Sequence, residues 1–343
     1  EFEPGSSTVD FRGTPSTIRG SSLTTFHHVV IDGLADGTVR SLAIDTDTEV
    51  ADHVRVRGNW DNHDTFLTGE STITFLGSPS TIDSDGFSEQ TTRFHHLEIG
   101  PGAALQFGTV GAVQVDGLLT NEGPGTGFVE TRGSGDLVEF CGVAAGVGGA
   151  PIAVAKVILA PGATLTLDGS DDLSIGSDFT IEAGETVRLE GAATLRLATK
   201  MTVEGSLRAA AGSVQRITDL GAKFAFEVNL IDVRSEVDLE DVVVHGVDTN
   251  GLRLLPTSTV LALDLDGVHF EDGNPTVGVY VNLEPNPIAA GTFSFSRCSF
   301  DADCLYNVQT AVGGGVANGA VQVLGATGDR AGELFENDRL AGT

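Results

Sequence analysis

Apolar and polar residues alternate in short runs along this chain. Leu165 and Leu167, Val187 and Leu189, and Leu195 and Leu197 each flank one polar residue, and Leu207 continues the series. A period of two predicts strands with one buried face. Turn-forming clusters separate the runs: Ala160-Pro161-Gly162-Ala163, Asp168-Gly169-Ser170-Asp171, Glu190-Gly191-Ala192. No segment carries convincing amphipathic helical spacing, so no substantial helix is predicted.

The strands belong to a longer repeat. Residues 7–18 read STVDFRGTPSTI and residues 71–82 read STITFLGSPSTI, an offset of 64 that returns Phe11, Gly13, Pro15 and Ile18 as Phe75, Gly77, Pro79 and Ile82. Phe26-His27-His28-Val29-Val30-Ile31 returns as Phe94-His95-His96-Leu97-Glu98-Ile99, now at an offset of 68. A fainter third copy carries Leu137-Val138-Glu139-Phe140 and Val157-Ile158-Leu159. A 64-residue unit divides into three coils of about 21 residues, the size of one turn of a solenoid. Further on, Leu239-x-x-Val242-x-Val244 recurs as Leu265-x-x-Val268-x-Phe270 and Phe295-x-x-Cys298-x-Phe300. Each triplet is expected to point inward and to stack on the next.

One such coil cannot bury its apolar side alone; stacking creates a common core and completes each strand's hydrogen bonds. The predicted fold is therefore all-β, a right-handed parallel β-helix with coils of about 21–30 residues. It is read as a single continuous solenoid over residues 1–343. Within it, residues 1–135 hold the two strong repeats, 136–235 the weaker copy and regular coils, 236–325 the longer coils, and 326–343 a capping or docking tail. The chain resembles the right-handed parallel β-helix repeat proteins of secreted bacterial surface and adhesin type, the broad architecture of pectate-lyase-like proteins. The resemblance covers most of the chain and concerns architecture more than activity.

Composition narrows the partners. The formal net charge is −29, with 48 acidic against 19 basic residues, only three of them Lys. Such a surface repels nucleic acid and anionic lipid, and no run of about 18 apolar residues is present, so neither nucleic-acid binding nor membrane insertion is expected. The chain opens Glu1-Phe2-Glu3-Pro4 without an initiator Met, which suggests an exported protein whose signal peptide has been removed, placed outside the cell or on its surface, or else a chain trimmed at that end.

Chemical motifs are sparse. Pectin-cleaving solenoids carry several signatures in successive coils, of which only Asp171-Asp172 is echoed here, so no catalytic residue is assigned and enzymatic activity is not expected. No cofactor is implied beyond calcium, for which the candidate ligands are Asp45, Asp47, Asp168, Asp171 and Asp172; solvated acidic turns explain the same residues. His27-His28 and His95-His96 are expected to point to opposite faces of their strands and so not to chelate one ion. Cys298 and Cys304 are close enough for a local disulfide, or are small buried apolar residues, with Cys141 left over.

Solenoid ends expose strand edges that template pairing with other chains. Phe2, Val9 and Phe11 at one end, with Leu334 and Phe335 at the other, are the candidate subunit contacts; plugging the core ends of a monomer is the alternative. The expected function is an extracellular structural subunit that self-associates end to end into a filament or surface layer, with adhesion to surface polysaccharide as an added role. A carbohydrate-binding or carbohydrate-cleaving solenoid, and a stalk segment of a larger surface protein, are the other readings. With one Trp and two Tyr, little aromatic surface is available to stack on sugars.

Overall fold

A computed structural model describes residues 8–11, 16–19, 24–26, 28–31, 41–45, 53–62, 65–67, 70–76, 80–84, 92–107, 113–122, 137–142, 145–259, 262–276, 278–283, 292–310, 320–331 and 337–338. All regular structure among them is strand, and every strand pair is parallel. The fold is a right-handed parallel β-solenoid, as its sequence predicts. Two compact units, residues 1–160 and 161–343, divide the chain.

In the second unit the chain visits three rows of strands in turn. The first row begins with Thr164–Leu167, Thr186–Leu189 and Ser206–Ala209, the second with Asp172–Ile175, Thr194–Leu197 and Gln215–Asp219, the third with Phe179–Ile181, Lys200–Val203 and Phe224–Val228. Registers are direct: Leu165 sits on Val187 and Val187 on Leu207, while Leu173 sits on Leu195. The alternating strands are buried on alternate residues, and these inward side chains, Leu165, Leu167, Leu173, Val187 and Leu195 among them, are fully buried. Burial contributes roughly 1.5–3 kcal/mol for each such side chain, an upper bound because the unfolded chain already hides some apolar surface. Successive first-row strands start 22 and 20 residues apart up to Ser206, then 27 to 30 apart through Glu236, Leu263, Thr292 and Ala320.

The longer coils share one tight corner. Asp241, Gly267 and Arg297 follow the first-row strands Glu236–Glu240, Leu263–Asp266 and Thr292–Ser296, and all three adopt left-handed backbone, with φ of 56°, 68° and 55°. For non-glycine residues this conformation costs on the order of 1 kcal/mol. Corner hydrogen bonds offset it. The amides of Asp241, Gly267 and Arg297 donate to the carbonyls of Asp266, Ser296 and Leu324 at 2.9, 2.8 and 2.8 Å. The Arg297 guanidinium also grips the Asp266 carboxylate at 2.8 and 2.7 Å and reaches Asp241 at 3.5 Å, linking three successive coils. The motif Leu-x-x-Val-x-Val/Phe is this corner seen in sequence, and all nine of its apolar residues are fully buried.

The first unit is built the same way but places its sequence repeat differently. One row holds Thr8–Phe11, His28–Ile31, Trp60–Asn62, Ser80–Ser84 and Leu105–Phe107; another holds Thr24–Phe26, His53–Val56, Thr72–Phe75, His96–Ile99, Leu118–Asn121 and Ala145–Gly149. Thr8–Phe11 and its sequence copy Thr72–Phe75 thus lie in different rows, as do His28–Ile31 and His96–Ile99. The repeat spans eight strands rather than nine, so the division into three whole coils is corrected: each copy is rotated by one face. Every face demands the same in–out alternation, so a copied segment fits any of them. At the centre Trp60, Phe75 and Phe94 are fully buried and meet edge to face, with centroids 5.6–6.5 Å apart.

Candidate functional site

In a stacked parallel row, residues of equal register lie one strand spacing apart, about 4.8 Å. The second row of the longer coils contains Gln215–Asp219, Val242–His245, His269–Glu271 and Ser299–Phe300. Its inward column runs Ile217, Val244, Phe270 and Phe300. The outward side chains beside that column gather Arg216, Thr218, His245, His269, Glu271 and Ser299, and the residues that follow the strands add Asp272 and Asp301.

These groups form a connected polar column. Thr218 Oγ1 lies 3.3 Å from His245 Nδ1. The two His245 ring nitrogens face Asp219 and Asp272, each at 3.8 Å. Lys223 stands against the same Asp272, 3.2 Å from Oδ2 and in contact with its backbone carbonyl. One coil on, Arg216 Nη2 binds Glu271 Oε1 at 2.7 Å, while Glu271 Oε2 faces His269 Nε2 at 3.3 Å. Asp301 approaches the same His269 Nε2 at 3.8 Å, and Nδ1 of that ring is hydrogen-bonded to the Ser299 hydroxyl. Two sets, Asp219/His245/Asp272 and His269/Glu271/Asp301, therefore bring one imidazole nitrogen and two carboxylate oxygens within 4.8 Å of one another. Chemically the column can hold cations or hydrogen-bond a hydroxyl-rich ligand.

None of these residues was singled out by sequence. They occupy the outward slots of the same motif whose inward slots define the core, and reading those slots coil by coil is the signal that finds them.

The sequence candidates lie elsewhere. Asp168 and Asp171 cap their own turn: the Asp171 carboxylate accepts the Asp168 amide at 2.7 Å, and Asp168 Oδ1 accepts the Gly169 amide at 2.6 Å. Asp172 is held by the Arg196 guanidinium through three contacts of 2.9–3.0 Å. The structure thus shows turn capping and an ion pair at these three calcium candidates. The side chain of Asp45, and Asp47 altogether, fall outside the described residues. Cys298 and Cys304 do not form the disulfide; both are free and buried, Cys298 because its slot in the motif points into the core and Cys304 beside Tyr280 and Gly273. Burial pushes both thiols up to about 11. Cys141 is free and half-buried.

The paired histidines also depart from expectation. His95 sits at the corner between Thr92–Phe94 and His96–Ile99, so its ring turns toward His96, with centroids 4.3 Å apart. His96 Nδ1 accepts the Leu118 amide at 2.9 Å. His27 and the side chain of His28 fall outside the described residues. So do Phe2, Leu334, Phe335 and the side chain of Phe11 among the proposed contacts; Val9 is half-buried on Thr8–Phe11, which pairs with His28–Ile31.

At the far side of the second unit, Ala320–Leu324 pairs with Thr292–Ser296 over five residues, and Leu324 keeps 54% of its surface exposed. It is the last strand of its row among the described residues. Asn337–Asp338 pairs with Gln309–Thr310 in the third row.

No family model, curated protein or solved structure matches the chain.

Proposed function

We propose that the chain is an extracellular structural subunit that self-associates by receiving a coil from a second copy, as every row of the fold receives its next strand. The observation that supports this reading is the Ala320–Leu324 strand. Among the described residues it pairs along one edge, in the same register geometry that earlier strands use on both edges, and it carries an exposed Leu324. A parallel edge of this kind accepts a further parallel strand, and a head-to-tail contact that does not close gives open filaments. Sedimentation velocity and negative-stain microscopy over a wide concentration range test it. Concentration-dependent polymers are expected for the chain, and loss of them for Leu324→Lys, whose substitution leaves the core intact. A chain that stays monomeric throughout overturns the reading.

A second reading, carbohydrate binding or cleavage, is favoured by the polar column of Arg216, His245, His269 and their carboxylates. Against it, Trp60 and Tyr280 are fully buried and present no face to a sugar ring. Retention of the chain on neutral or acidic polysaccharides, lost in Arg216→Ala, would support it.

A further inference from the structure

We propose that His269, Glu271 and Asp301 form a binding site for a divalent first-row transition-metal ion that clasps two adjacent coils. The proposal is independent of the self-association reading.

The donor set is one imidazole nitrogen and two carboxylate oxygens, a mixture suited to zinc or manganese rather than to calcium, which prefers oxygen alone. Spacing agrees. Bonds of about 2.0–2.1 Å in a tetrahedral zinc site put ligand atoms roughly 3.3 Å apart. Here His269 Nε2 is 3.3 Å from Glu271 Oε2 and 3.8 Å from Asp301 Oδ2, and all three atoms lie within 4.8 Å of one another.

Groups outside the triad hold its members in place. The Ser299 hydroxyl occupies Nδ1 of His269, which leaves Nε2 directed at the two carboxylates. Arg216 takes Glu271 Oε1 at 2.7 Å, which leaves Oε2 for the ion. Such outer partners orient the ligands of metal sites.

The neighbouring triad supplies a contrast within the same column. Asp219, His245 and Asp272 repeat the donor set, but there the Lys223 ammonium already sits 3.2 Å from Asp272 Oδ2. There the cation sits on the oxygen that faces the imidazole, whereas Arg216 takes the Glu271 oxygen that faces away from His269.

Isothermal titration of the full chain with zinc chloride in a non-chelating buffer tests the site. His269→Asn, Glu271→Gln and His245→Asn are compared, each with its metal-free urea midpoint and circular dichroism to establish folding. Zinc taken up at other histidines or at Cys141 is common to wild type and the His269 and Glu271 variants, so the differences between them decide. Wild type and His245→Asn are expected to share a tightest site that is lost, or weakened at least tenfold, in His269→Asn and Glu271→Gln. Excess calcium is expected to leave it occupied. Equal zinc binding in wild type and His269→Asn overturns the proposal, as does displacement of zinc by equimolar calcium.

Discussion

Replacing Phe270 with alanine tests whether the second unit holds one stacked column of side chains. The ring is fully buried, lies nearly parallel to Phe300 with centroids 5.5 Å apart, and packs on Tyr280 at 5.7 Å. Its removal forfeits roughly 2 kcal/mol of apolar transfer. A void of about 100 Å³, at ~24 cal/mol per Å³, adds about 2 kcal/mol if the neighbouring rings keep their places. The sum of about 4 kcal/mol agrees with the range of about 3–5 kcal/mol for losing a core phenylalanine. Because a coil touches only its neighbours, the loss is local. Hydrogen exchange read by mass spectrometry is the assay. Amides of Val242–His245, His269–Glu271 and Val279–Leu283 are expected to exchange about 10³-fold faster, and those of Thr164–Leu167 less than about tenfold faster. An equal acceleration in all these strands, or less than about fivefold at His269–Glu271, refutes the reasoning.

Two further outcomes follow from buried titratable groups. Glu185 is almost fully buried and accepts the Glu182 amide at 2.7 Å; burial raises its carboxyl from 4.5 to about 7. The folded chain therefore keeps a proton that the unfolded chain releases between about pH 4.5 and 7, and the stability it lends is full below that window and lost as pH rises through it. Glu185→Gln, neutral at every pH, should gain about 2–3 kcal/mol over wild type in urea denaturation between pH 5 and pH 8; a gap that does not widen contradicts this. For the cysteines, a thiol assay without reductant should count all three in denaturant and find them slow to react in the folded chain, since burial suppresses the thiolate. Only one reactive thiol in denaturant would reinstate the Cys298–Cys304 bond.

The architecture was legible because period two and the Leu-x-x-Val-x-Val/Phe motif report directly on burial: Leu239, Val244, Phe270 and Cys298 all point inward. The placement of the 64-residue repeat was not, because nothing in Ser-Thr-Val-Asp-Phe distinguishes one face of a coil from another. The polar column was missed for a different reason. Asp219 and His245, or His269 and Asp301, become neighbours only through stacking, 26 and 32 residues apart in the chain, and each alone resembles an ordinary solvent-facing residue. The separation of Cys298 and Cys304 allowed either a disulfide or two small buried residues, and the second holds: both are free and fully buried, Cys298 in a core slot of the motif and Cys304 in the turn that follows.

The left-handed residue at Asp241, Gly267 and Arg297 has a bearing on descent. A single residue there keeps the Leu and Val of the flanking strands in phase, and adding one would turn the next strand inside out. Genes for such a chain can gain or lose codons freely only at the other bends, where turns of unequal length already stand between Phe224–Val228 and Glu236–Glu240 and between Val247–Leu254 and Leu263–Asp266. Kindred sequences should therefore align without gaps across this bend and scatter their gaps over the rest, which makes it the place to begin when searching for them.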